Sequence, residues 1–176
     1  IDDGDASGIV STDLVPLIFD LKDNENVEGL IIRVNSPGGS AYGSEQIWEA
    51  LEQFKKTGKP FIVSMGDYAA SGGYYISCGA DSIFADPLTV TGSIGIFGLI
   101  PNGHELLTDK LGVNFELVAT NPQAMFPNLM SPLTTEQYNA MQRMVEDGYD
   151  LFTQRVADGR GLSQDYVKQI GEGRVW

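Results

Sequence analysis

The sequence predicts an α/β fold with one mainly parallel sheet flanked by helices. Short β-branched runs that end in turn residues alternate with stretches whose apolar residues recur at helical spacing. Parallel strands need crossover connections, which helices usually supply. At 176 residues and 42% hydrophobic composition, the chain can bury one sizeable core. We therefore expect residues 1–176 to form a single domain.

The first part of the chain predicts two helix–strand pairs. The strand runs are short and apolar, and the helical stretches place leucine, isoleucine and phenylalanine three and four residues apart. The predicted elements are a helix from Ser11 or Thr12, a strand over 29–34, a helix over about 44–57 and a strand over 61–65.

The second part of the chain predicts shorter elements and one long helix. The long helix is expected to begin with a capping box, in which Thr134 and Gln137 satisfy each other's backbone amides. A proline-containing loop over 120–132 precedes it, and loops of this length are often functional. The other predicted elements are a helix opening near Ser71, strands over 82–85 and 93–97, a short helix over 103–111 and a strand over 115–118.

Charge and cysteine content exclude several classes of protein. The formal net charge of −13 argues against nucleic acid as a partner, because phosphates need a basic surface. Cys78 is the one cysteine, so the chain has no internal disulfide and no cysteine-rich metal pattern. We expect Cys78 to be a buried apolar residue on the helix after Ser71, and we expect neither a metal nor a cofactor.

The ends of the sequence suggest a piece of a longer protein. The chain begins at Ile1 rather than methionine, and no helix-ending signal precedes Trp176. No apolar run approaches the roughly 18 residues of a membrane-spanning helix. We expect this piece to be soluble.

Two glycine-rich turns, 36–39 and 70–73, each follow a predicted strand and precede a helix. In a parallel sheet both turns lie at the carboxyl edge, where α/β folds bind ligands. Ser71 lies between two alanines and two glycines, which have the smallest side chains. Such a serine could serve close packing, or it could be a nucleophile that substrate can reach. Glycine has no side chain to keep a peptide carbonyl away, so the amides of Gly39 and Gly72 are candidates for an oxyanion hole.

A serine nucleophile needs a general base, and the sequence offers no obvious one. His104 is the only histidine, and it begins a polar helix where an exposed or capping role is expected. A desolvated lysine can also accept the proton. All the lysines, however, lie in or beside amphipathic helices on faces that we expect to be wet: Lys22, Lys55, Lys56, Lys59, Lys110 and Lys168. Either the base lies on polypeptide outside this chain, or the chain is not a hydrolase.

Three segments resemble a known family. They read RVNSPGGS at 33–40, MGDYAASGGYYIS at 65–77 and TGSIGIFG at 91–98, and the similarity continues through GRVW at 173–176. In this order they resemble the signal peptide peptidase A family, also called protease IV. The resemblance implies a serine–lysine dyad protease with the Clp protease/crotonase-like fold of repeated ββα units. It also implies action on leftover signal peptides at the outer, periplasmic face of the cytoplasmic membrane, and a homo-oligomeric ring.

The resemblance assigns roles to individual residues. Ser71 would be the nucleophile, and Gly39 and Gly72 would donate their amides to the oxyanion. Ser93 would orient the lysine ammonium. Without the resemblance, Ser93 would be interpreted as a hydroxyl at the edge of a strand that hydrogen-bonds the backbone. Met125 and Phe126, in the apolar loop, are candidates for binding hydrophobic peptides.

The sequence lacks the lysine that serves as general base in the family. Short members take the lysine from the stretch matching 118–127, which contains no lysine here. In long members of two homologous halves, the first half supplies the lysine and the second half the serine. We therefore interpret the chain as the catalytic carboxy-terminal half of a long member, missing its amino-terminal half. The isolated piece is then expected to be inactive.

Two alternatives remain open at this point. A crotonase-type acyl-thioester enzyme would share the oxyanion geometry but use no serine nucleophile. A non-catalytic half that only builds a ring would tolerate the loss of the Ser71 hydroxyl.

Overall fold

The computed structural model describes residues 1–2, 8–116, 118–121, 124–128 and 130–176. The chain divides into two compact units. The first unit contains Ile1–Ile96 and Gly148–Trp176, and the second contains Phe97–Asp147. The prediction of a single catalytic domain stays a prediction.

The first unit is built on a parallel sheet. Its central strand, β2, pairs with β1, with β3 through its amino-terminal half, and with β4 through its carboxyl end. Every one of these pairings is parallel, as the alternation of strands and helices predicted. The strands are β1 Leu30–Ser36, β2 Phe61–Ala70, β3 Ser82–Phe84 and β4 Val90–Gly92.

The predicted helices occur in the predicted order, and one helix that was not predicted, over Gln164–Ile170, follows them. The second helix begins one turn earlier than expected, because the Ser40 hydroxyl caps it by accepting a hydrogen bond from Gly43 N at 3.1 Å. No helix in the described part of the chain combines the length and the apolar composition needed to cross a membrane. The helices are α1 Ser11–Asp23, α2 Ala41–Lys55, α3 Gly72–Ser77, α4 Thr135–Arg160 and α5 Gln164–Ile170, with a π-helical turn over Leu106–Lys110.

Two clusters of buried side chains hold the first unit together. In one cluster α2 packs its predicted stripe, Ile47, Leu51 and Phe54, onto the sheet, and all three are at most 1% exposed. Full burial of such side chains contributes roughly 1.5–3 kcal/mol each. The second cluster joins α3 to α4 and α5, and it includes Cys78, which is fully buried as expected. Together the clusters fix α2 and α3, the two helices that follow the glycine turns.

The structure corrects two predicted strands. The strand expected over 93–97 is absent there, because β4 ends at Gly92 and Ser93 has φ 50°, a left-handed conformation that ends an extended strand. Of the strand expected over 115–118, the described residues 115, 116 and 118 are irregular, and Leu117 lies outside the described residues. The apolar loop over 120–132 is described only in part, without residues 122, 123 and 129.

The second unit contains the π-helical turn, the described part of the apolar loop and the beginning of α4. The capping box is present: Gln137 N donates to Thr134 Oγ1 at 3.2 Å, and Thr134 N donates to Gln137 Oε1 at 3.0 Å. His104 Nδ1 lies 2.9 Å from Met130 O, so the imidazole contacts the backbone of the loop.

Candidate active site

Ser71 lies directly after β2 and caps the short helix α3. Its backbone has φ 51° and ψ −120°, a conformation that side-chain-bearing residues rarely adopt. Two hydrogen bonds fix it: Ser71 N donates to Gly92 O at 2.9 Å, and Tyr75 N donates to Ser71 O at 2.8 Å. The residue is partly exposed, and within the described part of the chain its hydroxyl makes no hydrogen bond. The sharp turn thus presents an uncommitted hydroxyl at the sheet edge.

The two glycine turns lie against each other at that edge. A Cβ at Gly38 would be 2.7 Å from Ser71 Cβ, so only glycine permits the approach. A Cβ at Gly72 would be 3.4 Å from Gly39 N. The sheet register explains this proximity, because Ser36 and Ala69 are paired across β1 and β2. Both turns therefore leave the sheet side by side, as expected from their places after parallel strands.

The amides of Gly39 and Gly72 are uncommitted. Among the hydrogen bonds of the described residues, neither N–H donates to a protein acceptor. Gly39 is exposed, whereas Gly72 is buried at the first position of α3, where a helix has no internal acceptor for its N–H. Two free donors next to a serine form an arrangement that can bind a developing oxyanion. Their role as an oxyanion hole stays a prediction.

Ser93 occupies a position equivalent to that of Ser71 on the neighbouring strand. The sheet pairs Ala70 with Gly92, and Ser71 and Ser93 are the residues that follow. Adjacent strands are about 4.8 Å apart, so the two serines are neighbours. Ser93 also has a positive φ, 50°, and it is partly buried without a hydroxyl hydrogen bond in the described part of the chain.

The lysine best held in place lies at the wrong end of the sheet. Lys55 Nζ is 3.3 Å from Asp81, and the Asp81 carboxylate accepts a hydrogen bond from Phe61 N at 2.9 Å. Phe61 begins β2 and Ser71 follows its end, so the length of the strand, roughly 30 Å, separates them. Lys55 is therefore out of reach of the Ser71 hydroxyl.

The other lysines of the first unit are exposed or contact groups other than Ser71. Lys59 lies two residues before β2 and donates to Lys22 O and Asn24 O, both at 2.8 Å. Lys168 pairs with Asp150 at 2.6 Å, and Lys56 is exposed beside Lys55. Within the described residues, the structure brings no lysine of this unit into a hydrogen bond with Ser71.

Three sequence candidates lie in the second unit. His104 contacts the loop backbone, as described above. Met125 is 43% exposed, and Phe126 is partly buried. Their predicted roles, as an alternative base and as substrate contacts, stay predictions.

Burial sets the protonation states of the groups beside α3. It raises the pKa of the Cys78 thiol to about 12, with the nearby Glu52 charge adding to the effect. Burial likewise raises the pKa of Tyr74. Cys78 is therefore a neutral thiol at physiological pH, which makes it a packing residue rather than a second nucleophile.

Sequence reasoning missed two supports of this site. A Cβ at Gly72 would be 2.5 Å from Ser44 Oγ, so α2 packs directly against the turn. The segment 174–176 pairs with the chain around Ser93, and Ser93 N donates to Arg174 O at 2.6 Å. Neither contact has a local signal, because each joins residues far apart in sequence. The GRVW motif drew attention to this segment, but it did not indicate that the segment lies beside Ser93.

Comparison with known proteins agrees with this geometry. The family model described as peptidase family S49 matches residues 53–176. Protease 4 of Haemophilus influenzae is 47% identical over 154 residues, which are 88% of this chain and 25% of that protein. Serine protease SPPA, chloroplastic, of Arabidopsis thaliana is 34% identical over 97% of this chain and 25% of its own length. The chain thus spans about a quarter of these relatives.

The fold has a counterpart among solved structures. ClpP1 of Listeria monocytogenes, as an N165D mutant, superposes with a TM-score of 0.55 at 13% identity, over 94% of this chain and 72% of that one. The α/β fold with a parallel sheet is thus of the Clp protease type, as the motifs implied. By its match to the family model over most of its length, the chain belongs to peptidase family S49.

Proposed function

We propose that this chain carries the nucleophile of a serine endopeptidase that degrades cleaved signal peptides. One observation carries the proposal: Ser71 presents a free hydroxyl from a sharp turn against two uncommitted glycine amides. A serine hydroxyl, two oxyanion donors and a general base together can cleave a peptide bond. The names of the relatives, Protease 4 and Serine protease SPPA, agree with this chemistry.

In the proposed reaction Ser71 Oγ attacks the scissile carbonyl, and its proton passes to a lysine amine. The Gly39 and Gly72 amides hold the oxyanion, and such donors typically contribute about 3 kcal/mol each. The lysine then gives its proton to the leaving amine, and water hydrolyses the acyl-enzyme. Ser93, the neighbour of Ser71, orients the lysine through its hydroxyl.

The lysine comes from polypeptide outside this chain. Lys55 lies at the opposite end of the sheet, Lys59 and Lys168 contact other groups, and within the described residues no lysine of the first unit hydrogen-bonds Ser71, which supports this assignment. We propose that the chain is the carboxy-terminal half of a long family member and that the amino-terminal half supplies the base. The relatives, about four times as long, leave room for such a half.

The substrate, location and assembly are proposals of the same kind. Hydrophobic peptides fit a serine that follows two alanines. Met125 and Phe126, in the apolar loop of the second unit, are proposed as substrate contacts on the sequence alone. A protein of Enterococcus faecium that is 38% identical over 89% of this chain has a name that refers to signal peptide peptidase SppA. We place the protein at the extracytoplasmic face of the cytoplasmic membrane, as a homo-oligomer, on the family resemblance.

Labelling with a fluorophosphonate tests the nucleophile. In the full-length protein we expect Ser71→Ala to abolish labelling and to lower hydrolysis of a small apolar peptide ester by at least about 10³-fold. Ser82→Ala, at an exposed serine that begins β3, is the matched control and should leave both unchanged. Undiminished hydrolysis by Ser71→Ala would rule out the acyl-enzyme and favour a thioester enzyme or a scaffold role.

A further inference from the structure

A polar contact joins three helices behind Ser71. The Tyr75 hydroxyl on α3 donates a hydrogen bond to Glu45 Oε2 on α2. Arg155 Nη2 on α4 lies 2.6 Å from Glu45 Oε1, and its guanidinium stacks 3.9 Å from the centre of the Trp48 ring. We call Glu45, Tyr75 and Arg155 the Glu45 network. All its members belong to the first unit.

The Glu45 network holds helix α3, and Ser71 is the residue at the N-cap position of that helix. Helix α3 has six residues, and Ser71 provides no side-chain cap for it. Tyr75 N donates to Ser71 O at 2.8 Å, so the residue that anchors α3 also closes the turn of the nucleophile. The Tyr75 ring packs against Phe152 with ring centres 4.6 Å apart. A short helix has little stability of its own, so its orientation depends on these contacts.

The chemistry of the Glu45 network suits a rigid support. The Glu45 and Arg155 side chains are each 26% exposed, which leaves their charge-assisted hydrogen bond partly shielded from water. Burial, followed by the hydrogen bond to Glu45, raises the pKa of the Tyr75 hydroxyl. The Tyr75 hydroxyl is therefore protonated at physiological pH and donates its hydrogen to Glu45.

We propose that Glu45, Tyr75 and Arg155 are positioning residues that hold Ser71 in the geometry for attack. The inference rests on the proposed role of Ser71 as nucleophile. None of the three touches the reacting atoms; they act by fixing the first turn of α3. Displacement of a reacting group by about 1 Å can cost roughly 100-fold in rate, so loosening α3 should slow acylation without preventing folding.

The rate of fluorophosphonate labelling of Ser71 in the full-length protein tests this. The amplitude of labelling counts folded sites, whereas the rate constant reports the geometry of each site. We expect Tyr75→Phe, which keeps the ring and removes the hydroxyl, to lower the rate constant about tenfold at nearly unchanged amplitude. Tyr74→Phe is the matched control: its hydroxyl makes no hydrogen bond within the described residues, and its rate constant should equal that of the wild type.

Two further variants test whether the residues act together. Glu45→Ala should slow labelling at least as much as Tyr75→Phe, because it removes the partner of both Tyr75 and Arg155. The double variant should be no slower than Glu45→Ala alone, because the Tyr75 hydroxyl acts through Glu45. Glu45→Gln keeps an acceptor for Tyr75 and should recover part of the rate. For hydrolysis of a small apolar peptide ester, kcat should fall while KM stays within about twofold.

The outcomes separate this inference from the proposed function. If wild-type protein is labelled and Tyr75→Phe and Glu45→Ala lose amplitude at the wild-type rate constant, the network is merely structural and the inference is wrong. Additive effects of the two changes would also overturn it. If the wild-type protein is not labelled at Ser71, the proposed function fails and the inference falls with it.

Discussion

At the scale of single residues, the backbone of Ser71 adopts a strained conformation. A non-glycine residue at φ 51° costs on the order of 1–3 kcal/mol. The surroundings impose that conformation through the hydrogen bond to Gly92 O and the close approach of Gly38. Strain of this kind is typical of a residue that must project its side chain from a turn.

Cys78 gives a pH-dependent prediction at the same scale. Burial raises its pKa to about 12 in the folded protein, whereas an unfolded thiol ionises near 8.5. Between these values the unfolded state loses the proton first, so the free energy of unfolding falls as pH rises. From pH 8.5 to pH 10 we expect a loss of about 2 kcal/mol, measured as the shift in the urea midpoint at constant m-value.

The Cys78→Ala variant provides the control for this prediction. It removes the titrating group, so its urea midpoint should change much less over the same pH range, even though the smaller side chain lowers stability at every pH. Equal pH dependence in both proteins would mean that the thiol is not the group that titrates.

At the scale of elements, the corner after β4 supports both serines. Gly92 O accepts from Ser71 N, and the next residue is Ser93. The chain around this corner is paired with the segment 174–176: Thr91 and Trp176 exchange two backbone hydrogen bonds, of 2.9 and 3.0 Å. The corner is therefore held from one side by β2 and from the other by the end of the chain.

Gly92→Ala should disturb this corner. Gly92 has φ +80°, and a Cβ there would be 2.7 Å from the Trp176 indole and 3.1 Å from Arg174 O. We expect the full-length variant to label with fluorophosphonate at least about tenfold more slowly, because the hydrogen bond to Ser71 N shifts. Gly161→Ala is matched in backbone strain, with φ +65°, and has no neighbour within 4 Å. It should lose stability of about 1–2 kcal/mol but keep its labelling rate, and an equally slow control would assign the effect to strain alone.

The sequence predicted the elements whose signals are local. The periodicity of α2 placed Ile47, Leu51 and Phe54 in the core, and the capping box marked the start of α4. The strand expected over 93–97 was wrong because apolar residues there favoured extension, whereas Ser93 turns to φ 50° and donates its N–H to Arg174 O. A contact between residues about 80 positions apart leaves no trace in local propensity.

The candidate site was predictable to a similar extent. Two glycine turns after parallel strands are enough to bring Ser71, Gly39 and Gly72 to one edge. The supports of Ser71 were not predictable, since Glu45, Tyr75 and Arg155 come from three helices. Their partnership depends on how α2, α3 and α4 pack, which a single sequence does not encode in any short motif.

At the scale of the whole molecule, many large apolar side chains remain uncovered. On the sheet of the first unit, Ile31 is 75% exposed and Phe84 is 63% exposed. In the second unit, Phe97 and Leu99 are 88% and 84% exposed. These side chains are available for contact with further polypeptide, which is compatible with the proposal that the chain works together with an amino-terminal half.

The last prediction concerns that further polypeptide. If the base belongs to the further polypeptide, as proposed, the 176-residue chain should hydrolyse a small apolar peptide ester at no more than about 10⁻³ of the full-length rate, because an unactivated hydroxyl is a weak nucleophile. Adding the separately produced remainder of the protein should restore hydrolysis, and the same mixture with Ser71→Ala in this chain should stay inactive. The pH dependence should show a group that must lose its proton, and acetylation of lysines in the added part alone should abolish the recovery. Full activity of the 176-residue chain by itself would place the base within it and would overturn the division of the catalytic pair between two halves.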